Sequence, residues 1–460
     1  MREINTKLAA IIDPKRIFTD QDQLDELSWD ALSLGRIHPR RQPNMAVPIC
    51  VVTPVSTQEV HRIVRFANDE RVPLVAFGGG SGLMGGAMSV QPGIVLDLRC
   101  MNQILEVDTE GRSARVHGGV VLETLEQRLN EVGFILGHDP WTVPVATVGG
   151  AISTNSMGYR GGIYGSMGDQ VLGLEAVLPN GEIVRTRGIQ KSSVGINLNA
   201  LLIGGEGCFG IITEATVRIF PQPEKQLVDA FLFASFEEGY RAVQQLFLRS
   251  LKPALVDLGD DHHKFPEGTV LYLGFEGNGE VTLAEERVAR SILEARGAKL
   301  LPDEEAQRFW RERHVIAKRF IQNRRERRDR GRGGVYHDWV HAALPASKVL
   351  PFRTAALRIA EHHGVRVQES GLWVQPELFS IRLSVEDDGF KDARLILQDA
   401  IDELLRLVQE LGGSMEYTHG VGVKLASLMG AEHGYGFEVM RQIKATLDPR
   451  NIMNPGKMGF

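Results

Sequence analysis

Cysteine is scarce in this sequence: Cys50, Cys100 and Cys208 are the three in 460 residues, far apart and in no metal-ligand spacing. A disulfide framework is excluded, and three buried thiols in a reducing compartment are the simplest reading. Long apolar runs are missing as well. None approaches the ~20 residues of a membrane span, and the opening Met1-Arg2-Glu3-Ile4 leads into no signal-like stretch, so a cytoplasmic protein is expected. Neither sign of charge dominates: 58 acidic and 52 basic side chains leave a net charge of −6, which argues against a nucleic-acid partner. With 43% hydrophobic and 24% charged residues, a disordered, fibrous or coiled-coil chain is excluded. Chains longer than ~250–300 residues rarely keep one core, so two or three domains are expected.

Residues 1–45, with Pro39, Pro43, Arg36, Arg40 and Arg41, read as a mobile or draped arm. A regular pattern starts at residue 46. A strand at 46–53 precedes a capping box, Ser56 with Glu59, behind which Val60, Ile63, Val64 and Ala67 recur at helical spacing. Strands follow at 72–77 and 94–98, then a helix from about 121 carrying Leu122, Leu125 and Leu129 and stopped by Gly133. This alternation predicts a first α/β or α+β domain over 46–222, ended by Pro221 and Pro223. Residues 223–415 have another rhythm: strand 227–234, helix from Ser235 and Glu238, strands 254–258 and 269–275, helix from Thr282 and Glu285 to Gly297. The order recurs at 335–341, after Pro345, at 365–368, 378–385, 391–411 and 414–417. Two ferredoxin-like units joined in one antiparallel sheet are predicted, giving an α+β chain. Residues 416–460 revert to loop and helix and end in Asn454-Pro455-Gly456-Lys457.

Glycine is in excess, 50 residues or about 11% against a usual ~7%, and it is clustered. The run Gly78-Gly79-Gly80-Ser81-Gly82-Leu83-Met84-Gly85-Gly86 contains a literal G-x-G-x-x-G, but Pro92 and a strand arrive too soon for the long helix of a Rossmann site. Its backbone N–H groups can still form an anion-binding nest; a tight hairpin is the alternative. A second region holds Gly137-His138-Asp139-Pro140 and then Thr147-Val148-Gly149-Gly150-Ala151-Ile152-Ser153-Thr154-Asn155-Ser156-Met157-Gly158, Tyr164-Gly165 and Asp169. Small residues alternating with hydroxyl and amide donors suit a backbone pressed along an extended cofactor, with Ser153, Thr154 and Asn155 on its polar edge. The third cluster, Gly204-Gly205-Glu206-Gly207-Cys208-Phe209-Gly210 ahead of Ile211-Ile212, has the same character.

These motifs together resemble the vanillyl-alcohol-oxidase / p-cresol-methylhydroxylase type of FAD enzyme. Within it, the likeness is to the branch of glycolate oxidase subunits, D-lactate and D-2-hydroxyglutarate dehydrogenases and alkyldihydroxyacetonephosphate synthase. It is strong over residues 46–220 and the Asn454–Lys457 end and weaker between. The resemblance implies a two-part FAD-binding domain under an antiparallel-sheet cap. Gly78, Gly79, Gly80, Ser81 and Gly82 would wrap the pyrophosphate. Pro140, Thr147, Gly149, Gly150, Ser153, Asn155, Gly158 and Asp169 would line the rest of the cofactor. Glu206, Gly207, Gly210, Ile212, Asn454 and Lys457 complete the implied set. Some members attach FAD through a histidine in the first glycine loop; residues 77–86 contain none, so a non-covalent flavin is expected.

His419, in Tyr417-Thr418-His419-Gly420-Val421-Gly422, is the candidate base: its unperturbed pKa suits proton transfer and the family keeps a histidine there; a buried structural histidine is the alternative. Trp310-Arg311-Glu312-Arg313 resembles the family's W-x-x-R, whose arginine grips a carboxylate, although Arg313 also suits an exposed helix. Two departures stand out. The dehydrogenases' H-x-G-D-G-N-x-H stretch is replaced by Gly371-Leu372-Trp373-Val374-Gln375-Pro376-Glu377, and their E-H-G by Thr418-His419-Gly420, so no metal site is expected. The ether-lipid synthase shares Val315-Ile316-Ala317, but Trp373 stands where it has an arginine and Tyr417-Thr418-His419 where it has three histidines. The basic run 318–332 reads as a solvated loop, an anionic-substrate gate or a peripheral contact with acidic headgroups at the inner membrane face. The expected function is oxidation of the CH–OH of a small anionic 2-hydroxy acid, with electrons passing on to a quinone, an electron-transfer protein or oxygen. An ether-lipid transferase and a non-catalytic FAD-holding subunit are the rivals. A homodimer is the expected assembly.

Overall fold

The computed structural model describes residues 2–260, 268–323, 334–389 and 392–460. The first half begins with a helix that the sequence specifies closely. In helix Thr57–Glu70 the Ser56 hydroxyl accepts the N–H of Glu59 (3.3 Å), while the Glu59 carboxylate reaches back to the N–H of Val55 (2.9 Å). Its Val60, Ile63, Val64 and Ala67 face is fully buried, the larger side chains contributing roughly 1.5–3 kcal/mol each. That face packs on a four-stranded sheet of β1 (Ile17–Phe18), β2 (Cys50–Val52), β3 (Leu74–Phe77) and β4 (Ile94–Asp97), in the order β1-β2-β4-β3. Pairings of β4 with β2 and β3 are parallel, so these strands are apolar on both faces.

β1 belongs to the segment expected as an arm, and that segment is built into the fold. Leu8, Trp29, Leu32 and Ile37 are buried, and β1 covers the free edge of β2. Its helices, Arg2–Leu8 and Gln21–Leu27, span seven residues each, too short to show a period in sequence.

β5 (Ile104–Asp108), β6 (Ser113–His117), β8 (Val171–Val177), β9 (Ile183–Arg185) and β10 (Ile211–Arg218) form an antiparallel sheet ordered β5-β6-β10-β8-β9; β7 (Phe134–Ile135) pairs with β11 (Phe220–Pro221). The second half is a seven-stranded antiparallel sheet of β12 (Lys225–Phe233), β13 (Leu255–Gly259), β14 (Thr269–Gly277), β15 (Lys299–Leu300), β16 (Val335–Ala343), β17 (Arg366–Trp373) and β18 (Leu378–Glu386). Its order, β15-β12-β14-β13-β17-β18-β16, is two ferredoxin-like units joined where β13 pairs with β17. Alternate residues such as Val256, Leu258, Phe379, Ile381 and Leu383 face the core with helices Phe236–Leu248, Ala346–His363 and Ala393–Glu410; the residues between them face the first half.

Two local expectations change. The helix expected from Thr282 starts at Gly279, because Asn278 caps it by accepting the N–H of Val281 (3.4 Å). The strand expected at 414–417 is reduced to single bridges beside β16, since the N–H groups of Tyr417, Thr418 and His419 turn to the Glu416 carboxylate instead of a ladder. The chain end returns to the first half. Leu74 exchanges backbone bonds with this segment, its N–H donating to Ile452 O and its carbonyl accepting the N–H of Asn454.

Candidate active site

A cavity of about 690 Å³ lies between the glycine loops of the first half, the inner face of the seven-stranded sheet and residues 417–419. Gly78, Gly79, Gly80, Ser81, Gly82, Pro140, Thr147, Gly149, Gly150, Ser153, Glu206 and Ile212 all line it. Two glycines explain why the wall is main chain. A Cβ on Gly79 would run into the carbonyl oxygen of Val145, and one on Gly149 would lie 2.9 Å from that of Gly118. The loops therefore touch backbone to backbone, the Gly149 N–H donating to Gly118 O (2.7 Å) and the Gly150 N–H to the Thr147 hydroxyl (3.3 Å).

The other residues expected around the cofactor brace these loops without lining the cavity. Asn155 accepts the N–H of Gly168 (3.0 Å), and Asp169 accepts from the N–H and hydroxyl of Ser166 (2.8 Å each). Gly158 packs on the backbone of Asp139; Gly207 takes a left-handed φ of 74°, and Gly210 lies against Val177. The Asn454 amide donates to the carbonyls of Gly86 (2.7 Å) and Glu206 (2.6 Å). Lys457 is fully buried with Nζ donating to Pro455 O (3.2 Å), and burial lowers its pKa to about 8. Glu206 ties the loops to the chain end: its carboxylate accepts the N–H groups of Val421 (2.5 Å) and Gly422 (2.8 Å), and burial pushes its pKa up to about 7 despite them.

The opposite wall comes from alternate residues of the sheet: Trp339 and His341 on β16, Ser380 and Arg382 on β18, Glu369 and Trp373 on β17, and Asp257 on β13. Register pairs Trp339 with Arg382 and His341 with Ser380. His419 joins them from the chain end. Its Nδ1 lies 3.3 Å from Oε1 of Glu416, which also accepts the N–H groups of Tyr417 (3.1 Å), Thr418 (2.9 Å) and His419 (3.1 Å). Burial opposes the charge on Glu416, but His419 and these donors outweigh it and hold the carboxyl at about 2. The His341 ring is 4.7 Å from that of His419, and its Nδ1 is 2.8 Å from Ser380 Oγ, itself 2.9 Å from the Tyr417 hydroxyl. Burial, helped by His419, lowers the His341 pKa to about 3, so this ring is neutral at ordinary pH. Burial raises that of the Tyr417 phenol, which stays protonated.

Arg313 is placed elsewhere. Its Nε donates to Asp139 (3.0 Å), its Nη1 to the carbonyl of Trp310 (2.5 Å), and its guanidinium lies 3.7 Å from the Trp310 ring centroid. Buried Asp139 also meets His314 at 2.8 Å, and burial notwithstanding these partners hold it well below the usual carboxylate range. Arg313 thus serves a buried charge cluster, and Arg382 is the arginine on β18 that faces the cavity. Its Nε is buried with no hydrogen-bond partner among the described residues. Sequence reasoning passed over Arg382, although Phe379-Ser380-Ile381-Arg382-Leu383-Ser384 alternates strictly and puts one cation on the polar face. His341 was also missed: nothing near it in sequence marks a site.

The cavity fits FAD. Its volume lies within the ~300–1,000 Å³ of ligand sites, its glycine wall offers backbone N–H groups to a pyrophosphate, and Ser81, Thr147 and Ser153 add hydroxyls. Among the described residues no three His, Cys, Asp or Glu side chains gather to hold a metal ion, and no helix is long and apolar enough to cross a membrane. Residues 324–332 of the basic run lie outside the described residues.

Comparison with known proteins agrees with this geometry. An FAD binding domain matches residues 48–187, and the C-terminal domain of FAD linked oxidases matches residues 222–458. A D-lactate dehydrogenase of Archaeoglobus fulgidus is 32% identical, over 93% of this chain and 95% of its own length. The glycolate oxidase subunit GlcD of Bacillus subtilis is 30% identical, over 90% and 89%. In structure, an alkyldihydroxyacetonephosphate synthase superposes with a TM-score of 0.80 at 21% identity, covering 99% of this chain and 86% of that one. Substrate-bound p-cresol methylhydroxylase gives 0.80 at 18% identity, covering 100% and 96%, so both share the fold. The chain belongs to the FAD-linked oxidase family and is an FAD-dependent oxidoreductase with the fold of p-cresol methylhydroxylase.

Proposed function

We propose that this enzyme oxidises the CH–OH of a small 2-hydroxy acid of the D-lactate, glycolate or 2-hydroxyglutarate kind, with His419 as base and Arg382 as carboxylate anchor. The observation that carries the reading is one cavity holding a carboxylate-backed imidazole and a buried guanidinium nitrogen without a partner. The names of its relatives, D-lactate dehydrogenase and glycolate oxidase subunit, support it. In this reading residues 46–222 hold a non-covalent cofactor, residues 223–415 cover it, and residues 416–460 bring His419 back to it.

With Nδ1 turned to Glu416, His419 keeps Nε2 for the substrate hydroxyl, and the Glu416 carboxylate stabilises the imidazolium that forms as the proton arrives. Arg382 fixes the carboxylate by charge-assisted hydrogen bonds and so sets which C–H faces the cofactor. The Tyr417 hydroxyl and neutral His341, linked through Ser380, supply uncharged hydrogen-bonding groups beside the reacting carbon. FAD held against the glycine loops would supply the hydride acceptor for that C–H bond. Electrons then pass to a quinone, an electron-transfer protein or oxygen.

The test is an anaerobic absorbance scan of the flavoprotein against D- and L-2-hydroxy acids. Bleaching of the oxidised-flavin band by one of them is expected. A yellow protein that none of them bleaches would overturn the reading.

A further inference from the structure

Two guanidinium groups reach this cavity, and a simple hydroxy acid has a carboxylate for one of them. Arg382 enters from β18. Arg36 enters from the N-terminal segment, which passes round the β16 edge of the sheet. Gly35 sits against Tyr336, where a Cβ would lie 3.0 Å from the ring, and Arg36 Nε donates to Asp338 (2.6 Å). Asp338 precedes Trp339 on β16, and Trp339 is the register partner of Arg382, whose guanidinium is 5.5 Å from its ring centroid. Both cations therefore line the cavity, brought there from different parts of the chain.

Each is left incompletely bonded. Nη2 of Arg36 and Nε of Arg382 are buried with no hydrogen-bond partner among the described residues, a state that costs free energy until an acceptor arrives. Buried Asp338 is shared by Arg36 and by Lys424 Nζ (2.8 Å), so it does not satisfy Arg36 alone. The carboxylates that line the same cavity, Asp30, Glu206, Asp257 and Glu369, each have interactions of their own.

We infer that the cavity is built for a substrate with two anionic groups, Arg382 holding the carboxylate next to the reacting carbon and Arg36 a distal carboxylate or phosphate. This rests on the 2-hydroxy-acid reading above and narrows it to the doubly anionic members of that class.

The test titrates the oxidised holoenzyme with redox-inert acids and follows the flavin difference spectrum. Propionate supplies one carboxylate, succinate and glutarate two, and phosphoglycolate a carboxylate with a phosphate. A dianion should bind at least tenfold more tightly than propionate, and whichever dianion binds best identifies the distal group. Arg36→Gln should bring that ratio near one, while Arg36→Lys, which keeps the charge beside Asp338, should restore part of it. A general loosening of the structure would weaken all four acids alike and leave the ratio intact. Equal binding of propionate and every dianion overturns the inference, and so does a preference that survives in Arg36→Gln.

Parallel anaerobic reduction separates this inference from the reading it rests on. If lactate reduces the flavin as efficiently as any dianionic hydroxy acid, the dehydrogenase reading stands and the second anion site falls. If inert dianions bind by preference through Arg36 but no hydroxy acid reduces the flavin, the anion site stands and the dehydrogenase reading falls.

Discussion

Replacing His419 by alanine removes the imidazole and little else. The side chain is 18% exposed, and its neighbours are the Glu416 carboxylate and the His341 ring. Glu416 does not become a bare buried charge, because three backbone N–H groups still point at Oε1. Folding and flavin content should therefore survive. Without the base, the hydroxyl proton has no acceptor as hydride leaves, and positioned bases contribute about 10²–10⁴-fold, or ~3–5 kcal/mol of barrier. The assay is anaerobic stopped-flow reduction of the bound flavin at saturating hydroxy acid, with flavin absorbance per polypeptide as the control. The rate constant should fall by about 10²–10⁴ with a small change in the half-saturating acid concentration, and added imidazole should restore part of it. A reduction rate within threefold of the parent enzyme, or a defect confined to half-saturation, would refute the assignment of His419 as base.

Arg382→Met should raise the half-saturating hydroxy-acid concentration by roughly 10–150-fold, the ~1.5–3 kcal/mol of a hydrogen bond to a charged group, with flavin binding unchanged; steady-state kinetics at constant ionic strength check it. Asp139→Asn strips a buried carboxylate from Arg313, His314 and Arg160 and should cost about 3–5 kcal/mol in chemical denaturation. Gly79→Ala forces a methyl into the Val145 carbonyl, where backbone cannot yield cheaply, and the purified protein should lose its flavin colour. His341 has a folded pKa of about 3 against ~6.5 unfolded, so its contribution to stability is full above pH 6.5 and is lost as pH falls toward 3. His341→Gln should therefore lose about 2 kcal/mol less stability than the parent between pH 7 and pH 5, measured from urea midpoints. Glu206, raised to about 7, acts in the opposite sense and loses its contribution as pH rises through 7, which is why the variant and not the parent curve isolates His341.

What the sequence determined by itself is local or carried by motifs. Ser56 and Ser235 marked helix starts because a side-chain cap needs residues three apart. The glycine clusters marked a wall of the cavity because close backbone approach excludes Cβ. The repeated strand and helix order marked the joined sheet because each unit closes locally. His419 stood out as a candidate from its glycine-flanked loop, and it lies in the cavity wall. What tertiary structure decided are the meetings of distant residues. Arg313 looked like an anchor until Asp139, 174 positions away, claimed it. Arg36 is tied to Asp338 across 302 positions, and Arg382 faces the cavity because β18 pairs with β16 in one register. The N-terminal segment looked like an arm because elements of seven residues show no period, and packing, not propensity, holds them in place. Alternation along a strand says that two faces differ; which face meets a cofactor is decided when the sheet docks.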